Sequence, residues 1–238
     1  MSSQHADIKG GSSGIGLATA RELADHGYQI TITGRDAKRL EAARTALGGA
    51  VSAVPVDAAD ADAVRHVFGS IGTFDHLVLA LSGSKGGGAF AEVALSDVQQ
   101  GFAAKFFPHF ACAQAATPFL LKDGSITFVS AVSARAAVPG TAGLAAINAA
   151  VEALVPTLAA ELRPLRVNAV SPGVVDTPWW DFLAVEQKAA VFADFAAKTP
   201  VGRVGRPEDI AQAIGFLIGN GFMTGHTLVI DGGLRLAA

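Results

Sequence analysis

Lys9-Gly-Gly-Ser-Ser-Gly-Ile-Gly16 is the stretch that decides the fold of this 238-residue chain. It places glycines at positions 10, 14 and 16, between a short strand and a helical run that starts at Leu17. Glycines at such a turn let the backbone approach a diphosphate, whose charge is stabilised by the free N–H groups and the dipole at the helix N-terminus. The stretch therefore predicts a strand, turn and helix that bind a dinucleotide.

Outside this stretch, short β-branched runs alternate with longer Ala- and Leu-rich runs of helical periodicity. This alternation is typical of a parallel sheet covered by helices on both faces. It predicts a single domain over residues 1–238 with a doubly wound α/β fold, a three-layer α/β/α Rossmann architecture. The predicted strands lie at residues 5–9, 29–33, 76–80, 125–129, 166–170 and 227–230. The predicted helices lie at residues 16–26, 37–47, 60–68, 97–121 and 140–162, and residues at about 178–200 form one long insertion.

Composition excludes several classes of partner. Half of the residues are hydrophobic, 16% are charged and the formal net charge is −3. The chain has no basic stripe, so we expect no nucleic-acid partner. The single cysteine, Cys112, permits no internal disulfide and is expected to be a buried thiol. We identify no leader segment, membrane span or metal-ligand set, and we expect a soluble, cytoplasmic protein.

The predicted first strand, His5-Ala-Asp-Ile-Lys9, has an unusual composition for the centre of a sheet. Central strands of parallel sheets are normally apolar, yet this one carries His5, Asp7 and Lys9. We therefore expect it to be short, frayed or unusually paired. The Lys9 ammonium has two open interpretations, since it either reaches a bound phosphate or is a tolerated lysine at the end of the strand.

The motif and its surroundings resemble the short-chain dehydrogenase/reductase family. Ser12-Ser-Gly-Ile-Gly16 followed by Leu17-Ala-Thr-Ala-Arg-Glu-Leu23 is similar to the opening of the family's first helix, and the resemblance extends from Gly10 to Gly233. The segment Ser171-Pro-Gly-Val-Val-Asp-Thr177 is similar to the family segment that flanks nicotinamide. The resemblance implies these cofactor-binding residues: Gly10, Ser12, Ser13, Gly14, Ile15, Gly16, Arg35, Asp57, Pro172, Gly173, Val175 and Thr177.

The stretch Thr33-Gly-Arg-Asp36, after the second predicted strand, bears on the choice of nucleotide. Relatives that prefer NAD carry an acidic residue where this chain has Gly34. Glycine removes the carboxylate that would repel a 2′-phosphate, and Arg35 supplies a planar cation suited to binding it. We therefore expect NADP(H) in preference to NAD(H), with an ordinary solvated Arg35 as the alternative.

The family's catalytic positions hold different residues in this chain. Its chemistry uses a Tyr-x-x-x-Lys pair in the second half of the chain, but the sole tyrosine here is Tyr28. An alignment on Val151-Glu-Ala-Leu154 places Leu144 and Asn148 at the tyrosine and the lysine. The family's catalytic serine falls at Ala131, between two nearby serines, and its asparagine on the preceding helix falls at Lys105.

The candidate catalytic residues are Lys105, Asn148, Ser130 and Ser133. We hypothesise that Lys105 points toward Asn148 and serves as an electrophile or acid, because ketone reduction without a tyrosine needs another proton source. The alternative is a lysine on the helix surface. His109, one turn later, is a second candidate acid, with a structural role as its alternative.

The insertion at 178–200 lies where relatives carry a mobile substrate lid. It contains both tryptophans, Trp179 and Trp180, and also Phe182, Phe192 and Phe195. These rings either cover an apolar or aromatic substrate or pack against the core or a partner subunit. The resemblance also implies a homodimer or homotetramer.

Three functions remain open at this level. The first is an NADP(H)-dependent oxidoreductase that acts on a carbonyl or alcohol with an unusual proton donor. The second is a non-catalytic protein of the same fold that senses a nucleotide or supports a partner. The third is a lyase or isomerase without net redox change.

Overall fold

The computed structural model describes residues 4–49 and 51–237, and these form one parallel sheet with helices on both faces. The sheet order is β3-β2-β1-β4-β5-β6-β7. The strands are β1 (His5–Lys9), β2 (Gln29–Gly34), β3 (Val51–Pro55), β4 (Phe74–Leu79), β5 (Leu120–Val129), β6 (Arg166–Pro172) and β7 (Thr227–Ile230). The helices are α1 (Gly14–Asp25), α2 (Ala37–Leu47), α3 (Ala61–Ile71), α4 (Leu95–Ala104), α5 (Phe106–Ala116), α6 (Ala142–Glu161), α7 (Val185–Lys198) and α8 (Pro207–Gly219). The predicted doubly wound α/β fold is confirmed.

Two hydrophobic clusters separate the layers. On one face of the sheet, side chains of α3, α5 and α6 pack around Phe68, Phe128 and Val151. On the other face, α1, α2 and α8 pack around Ile8, Ile32 and Ile214. Alternation along β1 places Ala6 and Ile8 on the second face and leaves its polar residues on the first.

The strand order reverses between β1 and β4, which are hydrogen-bonded neighbours. In open α/β sheets, ligands bind in the crevice beyond the carboxyl ends of the strands at this switch point. The glycine-rich turn after β1 and the segment after β4 therefore line the expected binding crevice.

The polar composition of β1 neither frays the strand nor changes its pairing, so those two expectations were wrong, although the strand is only five residues long. All five residues of β1 pair with β2, from His5 opposite Gln29 to Lys9 opposite Thr33. Inside the sheet, Lys9 Nζ lies 3.0 Å from Asp7 Oδ1, and both side chains are fully buried. The ammonium also lies 4.1 Å from the centre of the Phe68 ring. Lys9 thus points into the α3 and α5 layer, and it does not reach a phosphate at the glycine turn.

Several predicted elements change in the structure. The strand β3 and the helix α8 were not predicted, and most of the insertion at 178–200 folds as α7. The predicted helix at 97–121 is two helices, α4 and α5, that meet at Lys105, where φ is −122° and ψ is −65°. Pro108 then stands in the first turn of α5, where its missing N–H needs no helical acceptor. Among the described residues, only α6 is long and apolar enough to span a membrane by composition, and it packs on the sheet through Ile147, Val151 and Val155.

Candidate active site

The turn after β1 leaves free backbone N–H groups at the N-terminus of α1. The first helical hydrogen bond runs from Leu17 N to Ser13 O at 3.2 Å. The N–H groups of Gly14, Ile15 and Gly16 have no acceptor in the part of the chain that the structure describes, and the Ser13 side chain does not cap them. The positive end of the helix dipole therefore points, unpaired, into the crevice.

Two glycines of this turn leave no space for a side chain. A Cβ atom at Gly16 would lie 2.2 Å from the Gly10 carbonyl oxygen, and one at Gly10 would lie 2.6 Å from the Ala80 carbonyl oxygen. Gly10 also has a φ of +83°, in the region that favours glycine. The turn is thus packed tightly against the segment after β4, and this fixes the N-terminus of α1 at the switch point.

The end of β2 lies beside the glycine turn. A Cβ atom at Gly34 would lie 3.3 Å from Ser12 Oγ. The next residue, Arg35, is exposed, and its guanidinium has no ion pair within the described ranges. The neighbouring acid, Asp36, uses Oδ1 to accept hydrogen bonds from the first backbone N–H groups of α2, at 2.9 and 3.1 Å. Arg35 is therefore free to bind an anion, while the Asp36 charge is committed to capping a helix.

The segment after β6 meets the same turn. A Cβ atom at Gly14 would lie 3.3 Å from Thr177 Cγ2, so these two residues are in contact across the crevice. Pro172 ends β6, and Gly173 fits closely against Asp231, because its Cβ would lie 2.8 Å from the Asp231 Cα. Asp57 and Val175 lie on the same carboxyl edge, after β3 and β6. The structure thus brings the twelve predicted cofactor residues to one edge of the sheet.

Lys105 stands between α4 and α5 with its amine directed at the end of β5. Its Nζ donates to the Ser130 carbonyl oxygen at 3.1 Å. Burial lowers the pKa of this amine to about 8, against the opposing effect of the Glu152 carboxylate. An ammonium has three N–H donors, and the other two have no acceptor among residues 4–49 and 51–237. An amine that titrates in this range is suited to proton transfer near neutral pH.

Glu152 is the functional residue that sequence reasoning missed. Its Oε1 accepts hydrogen bonds from Ser130 Oγ at 2.7 Å and from Ser171 Oγ at 2.8 Å, and its Oε2 accepts from Arg135 Nε at 2.7 Å. The carboxylate thereby joins α6 to the carboxyl ends of β5 and β6. The sequence feature that could have identified Glu152 is its spacing from Asn148, because a residue four positions later lies on the same face of α6.

Asn148 and Ser133 form a second contact beside this carboxylate. Asn148 Nδ2 donates to Ser133 Oγ at 3.1 Å and to the Leu144 carbonyl oxygen at 2.9 Å. Asn148 Oδ1 is buried and has no hydrogen-bond partner in the described part of the chain. No hydrogen bond joins Asn148 to Lys105 there, because Lys105 binds Ser130 and Asn148 binds Ser133. Leu144 contacts the loop after β4, since a Cβ at Gly87 would lie 3.4 Å from Leu144 Cδ1.

His109 lies outside this site, in the interior of the protein. It is fully buried, with Nδ1 2.8 Å from the Lys105 carbonyl oxygen and Nε2 3.0 Å from the Leu79 carbonyl oxygen. Burial, reinforced by the Lys105 charge, lowers the pKa of the imidazole to about 4. A neutral imidazole carries one N–H, so it donates to one of these two carbonyl oxygens. Its place in the interior gives His109 a structural role, which leaves Lys105 as the candidate acid.

The aromatic residues of the insertion contact the segments after β4 and β6 at the edge of the crevice. Trp179 Nε1 donates to the Gly83 carbonyl oxygen at 2.9 Å, and Gly83 packs against Ala104, beside Lys105. The Trp180 ring packs edge-on against Trp179, with centroids 4.8 Å apart, and its Nε1 donates to the Val175 carbonyl oxygen at 3.1 Å. The remaining rings contacting this pair are Phe182, Phe192 and Phe195. This apolar cluster therefore contacts the segment after β4, which in turn contacts Ala104, the residue before Lys105.

Comparisons with known proteins agree with this geometry. A family model described as enoyl-(acyl carrier protein) reductase matches residues 10–235. The chain is 32% identical to 3-oxoacyl-[acyl-carrier-protein] reductase of Bos taurus, over 96% of this chain and 97% of that protein. It is 33% identical to a small-chain dehydrogenase solved in complex with NADPH, with a TM-score of 0.86 over 98% of this chain and 99% of the other. It is 31% identical to a short-chain oxidoreductase of Pseudomonas aeruginosa PAO1 described as containing an atypical catalytic center, with a TM-score of 0.88 and 97% of each chain covered.

Proposed function

This chain belongs to the short-chain dehydrogenase/reductase family of oxidoreductases, and we propose that it reduces a carbonyl, or oxidises the matching alcohol, with NADP(H) and with Lys105 as the proton donor. The observation that carries the proposal is the position of Lys105. Its amine, with a pKa of about 8, lies at the carboxyl end of β5 in a crevice that also holds an unpaired helix N-terminus. The family's tyrosine has no counterpart there, because Leu144 occupies its aligned position.

The residues of the crevice fit a dinucleotide phosphate. The free N–H groups of Gly14, Ile15 and Gly16 would bind the diphosphate, and the exposed guanidinium of Arg35 would bind the 2′-phosphate. The orphaned acceptor Asn148 Oδ1 matches a ribose hydroxyl donor. The relative solved with NADPH supports this choice of nucleotide.

In the proposed reduction, a bound reduced nicotinamide supplies the hydride. Lys105 Nζ holds the proton that the carbonyl oxygen needs as its negative charge develops, and the neutral amine recovers a proton from solvent. Asn148 and Ser133 hold the start of α6 against the end of β5. In the reverse direction, the neutral amine of Lys105 accepts the alcohol proton.

The surroundings of Lys105 favour a small apolar or aromatic substrate. Residues 178–200 act as a lid in this proposal, with Trp179 and its neighbouring rings against one side of the substrate. The relatives that reduce acyl-carrier-protein substrates make a carbonyl group the natural reacting centre. We further propose a homodimer or homotetramer in the cytoplasm, as the family resemblance implies, without a nucleic-acid or membrane partner.

Calorimetric titration with NADPH and NADH tests the nucleotide. We expect binding that favours NADPH, and Arg35→Ser should weaken NADPH binding by roughly tenfold to a hundredfold while NADH binding stays the same. Arg44→Ser, on the exposed side of α2, is the matched control and should bind both nucleotides like the wild type. Absence of binding by either nucleotide would instead indicate a non-catalytic protein of this fold.

Lys105→Met tests the proton donor. Across a panel of apolar ketones and thioesters of 3-oxo acids, NADPH oxidation should fall by roughly a hundredfold to ten-thousandfold, the usual contribution of a general acid. NADPH affinity should not change, because the proposal gives Lys105 no part in binding the nucleotide. Equal turnover by the variant and the wild type would rule out Lys105 as the acid.

A further inference from the structure

Glu152 is a junction of three donors from different parts of the fold. It receives Ser130 Oγ from the end of β5, Ser171 Oγ from β6 and Arg135 Nε from the turn that follows β5. Its side chain is only 9% exposed. The hydrogen bonds that this carboxylate accepts fix the groups that donate to it.

Ser130 links this carboxylate to Lys105. The hydroxyl of Ser130 donates to Glu152, while the carbonyl oxygen of the same residue accepts from Lys105 Nζ at 3.1 Å. The Ser130 backbone N–H also donates to the Val170 carbonyl oxygen at 2.9 Å, so Glu152 and β6 hold the residue on both sides. The position of the ammonium therefore depends on a serine that Glu152 holds in place.

We propose that Glu152 is a positioning residue for Lys105, one that keeps the ammonium at the crevice by acting through Ser130. The negative charge of Glu152 also favours the protonated amine through space. This inference rests on the proposed function for its catalytic meaning, but the electrostatic link itself is a property of the folded chain. Glu152 touches neither substrate nor nucleotide in this account.

The other charged or titratable groups that face Lys105 have defined effects. Arg135 binds Oε2 of the Glu152 carboxylate, while Oε1 accepts from Ser130, and its side chain is 43% exposed. We expect its positive charge to offset part of the negative charge that Lys105 experiences. His109, on α5, is neutral near neutral pH. Removing the carboxylate and removing the guanidinium should therefore shift the titration of Lys105 in opposite directions.

The test is the titration of Lys105 followed by NMR in protein labelled with carbon-13 at the lysine ε-carbon. The Lys105 signal is assigned by its loss in Lys105→Arg. The wild-type midpoint should lie near pH 8. Glu152→Gln should lower the midpoint by about one pH unit, and Arg135→Gln should raise it. Glu161→Gln, the same change on the exposed end of α6, should leave it unchanged.

The inference is overturned if Glu152→Gln keeps the wild-type midpoint, or if Arg135→Gln fails to raise it. The second variant alters an exposed side chain, so it decides the question even if Glu152→Gln does not fold. Turnover separates this inference from the proposed function. If the midpoints shift as expected but no carbonyl oxidises NADPH, the proposed function fails and the positioning role stands. If turnover occurs and the midpoints do not shift, the proposed function stands and the positioning role fails.

In an active enzyme, the same variants carry a kinetic signature. The rate of carbonyl reduction should fall with rising pH at a lower pH in Glu152→Gln than in the wild type, and at a higher pH in Arg135→Gln. A carboxylate that only stabilises the fold would lower the amount of active enzyme without moving either profile.

Discussion

Two lysines of this molecule, Lys9 and Lys105, have buried amines in different surroundings. Lys9 Nζ lies 3.0 Å from Asp7 inside the α3 and α5 layer, whereas Lys105 Nζ faces the crevice at the end of β5. Desolvation raises the pKa of the Asp7 carboxyl, and the neighbouring Lys9 opposes that rise. The sequence left two interpretations of Lys9 open, a contact with a bound phosphate or a tolerated lysine at the end of the strand. The alternation of side chains along β1 places the Lys9 side chain in the layer of α3 and α5, away from the glycine turn.

The buried pair of Lys9 and Asp7 should affect the stability of the protein. Lys9→Met should lower the free energy of unfolding by roughly 3 kcal/mol, because it leaves the Asp7 carboxyl buried without a partner. The double variant with Asp7→Leu should recover much of that loss, since a buried ion pair can be replaced by apolar groups at little cost. Urea unfolding measures both. Lys198→Met, which breaks an exposed pair with Asp194, is the control and should change stability by less than about 1 kcal/mol.

The tight packing of the glycine turn should also be visible in the stability of the protein. Gly16→Ala should destabilise the protein by about 1–3 kcal/mol and weaken NADPH binding, because the new Cβ would lie 2.2 Å from a backbone oxygen. Gly69→Ala, within α3, meets no atom within 4 Å. It should be neutral or stabilising by up to about 1 kcal/mol. Equal stabilities for the two variants would contradict the tight packing of the turn.

At the scale of elements, hydrogen bonds from two tryptophans join the insertion after β6 to the edge of the crevice. Trp179 donates to Gly83 in the segment after β4, while Trp180 donates to Val175 at the base of the insertion itself. The insertion also carries Lys188, whose Nζ lies 2.9 Å from Asp176. The two tryptophan hydrogen bonds fix the start of the insertion against the segments after β4 and β6.

The two tryptophans should respond differently to the same substitution. Trp179→Phe keeps the ring and removes the hydrogen bond to Gly83, so amide hydrogen exchange should become faster in residues 82–88 as well as in the insertion. Trp180→Phe should affect only the insertion. The expected increase is up to about tenfold, the equivalent of one hydrogen bond. Unchanged exchange in residues 82–88 of Trp179→Phe would show that the lid is not held there.

The sequence predicted the sheet well and the site in part. The glycine turn and the strands at 5–9 and 227–230 follow from local patterns that the structure shares. The break at Lys105 was missed, because an apolar run around Pro108 has the same composition as one long helix. Glu152 was missed because its role depends on Ser130, Ser171 and Arg135, which lie far from it in sequence and meet only in the fold.

At the scale of the whole molecule, the sheet buries two histidines in neutral form. His76 Nδ1 lies 2.9 Å from Ser125 Oγ, and burial lowers the pKa of His76, like that of His109, from 6.5 to about 4. The unfolded chain therefore binds more protons than the folded chain between these pH values. The free energy of unfolding that these two neutral histidines contribute is fully present above about pH 6.5 and is lost as the pH falls toward 4.

This acid dependence is measurable by urea unfolding at a series of pH values. Each histidine should contribute a slope of up to about 1.4 kcal/mol per pH unit between about pH 6.5 and 4. His76→Phe should reduce that slope, whatever its effect on stability at neutral pH. A slope that is unchanged in this variant would mean that His76 is not a source of the acid sensitivity.

Lys105, in place of the family's tyrosine, is the proposed proton donor of this oxidoreductase. The most direct test is the rate of NADPH oxidation by the wild-type protein with its best carbonyl substrate, measured across the pH range around 8. Because the protonated amine is the active form in reduction, we expect a rate that is constant at lower pH and falls as the pH rises through about 8, with little residual rate in Lys105→Met at any pH. A rate that does not fall across this range, or that Lys105→Met retains in full, would show that Lys105 is not the proton donor.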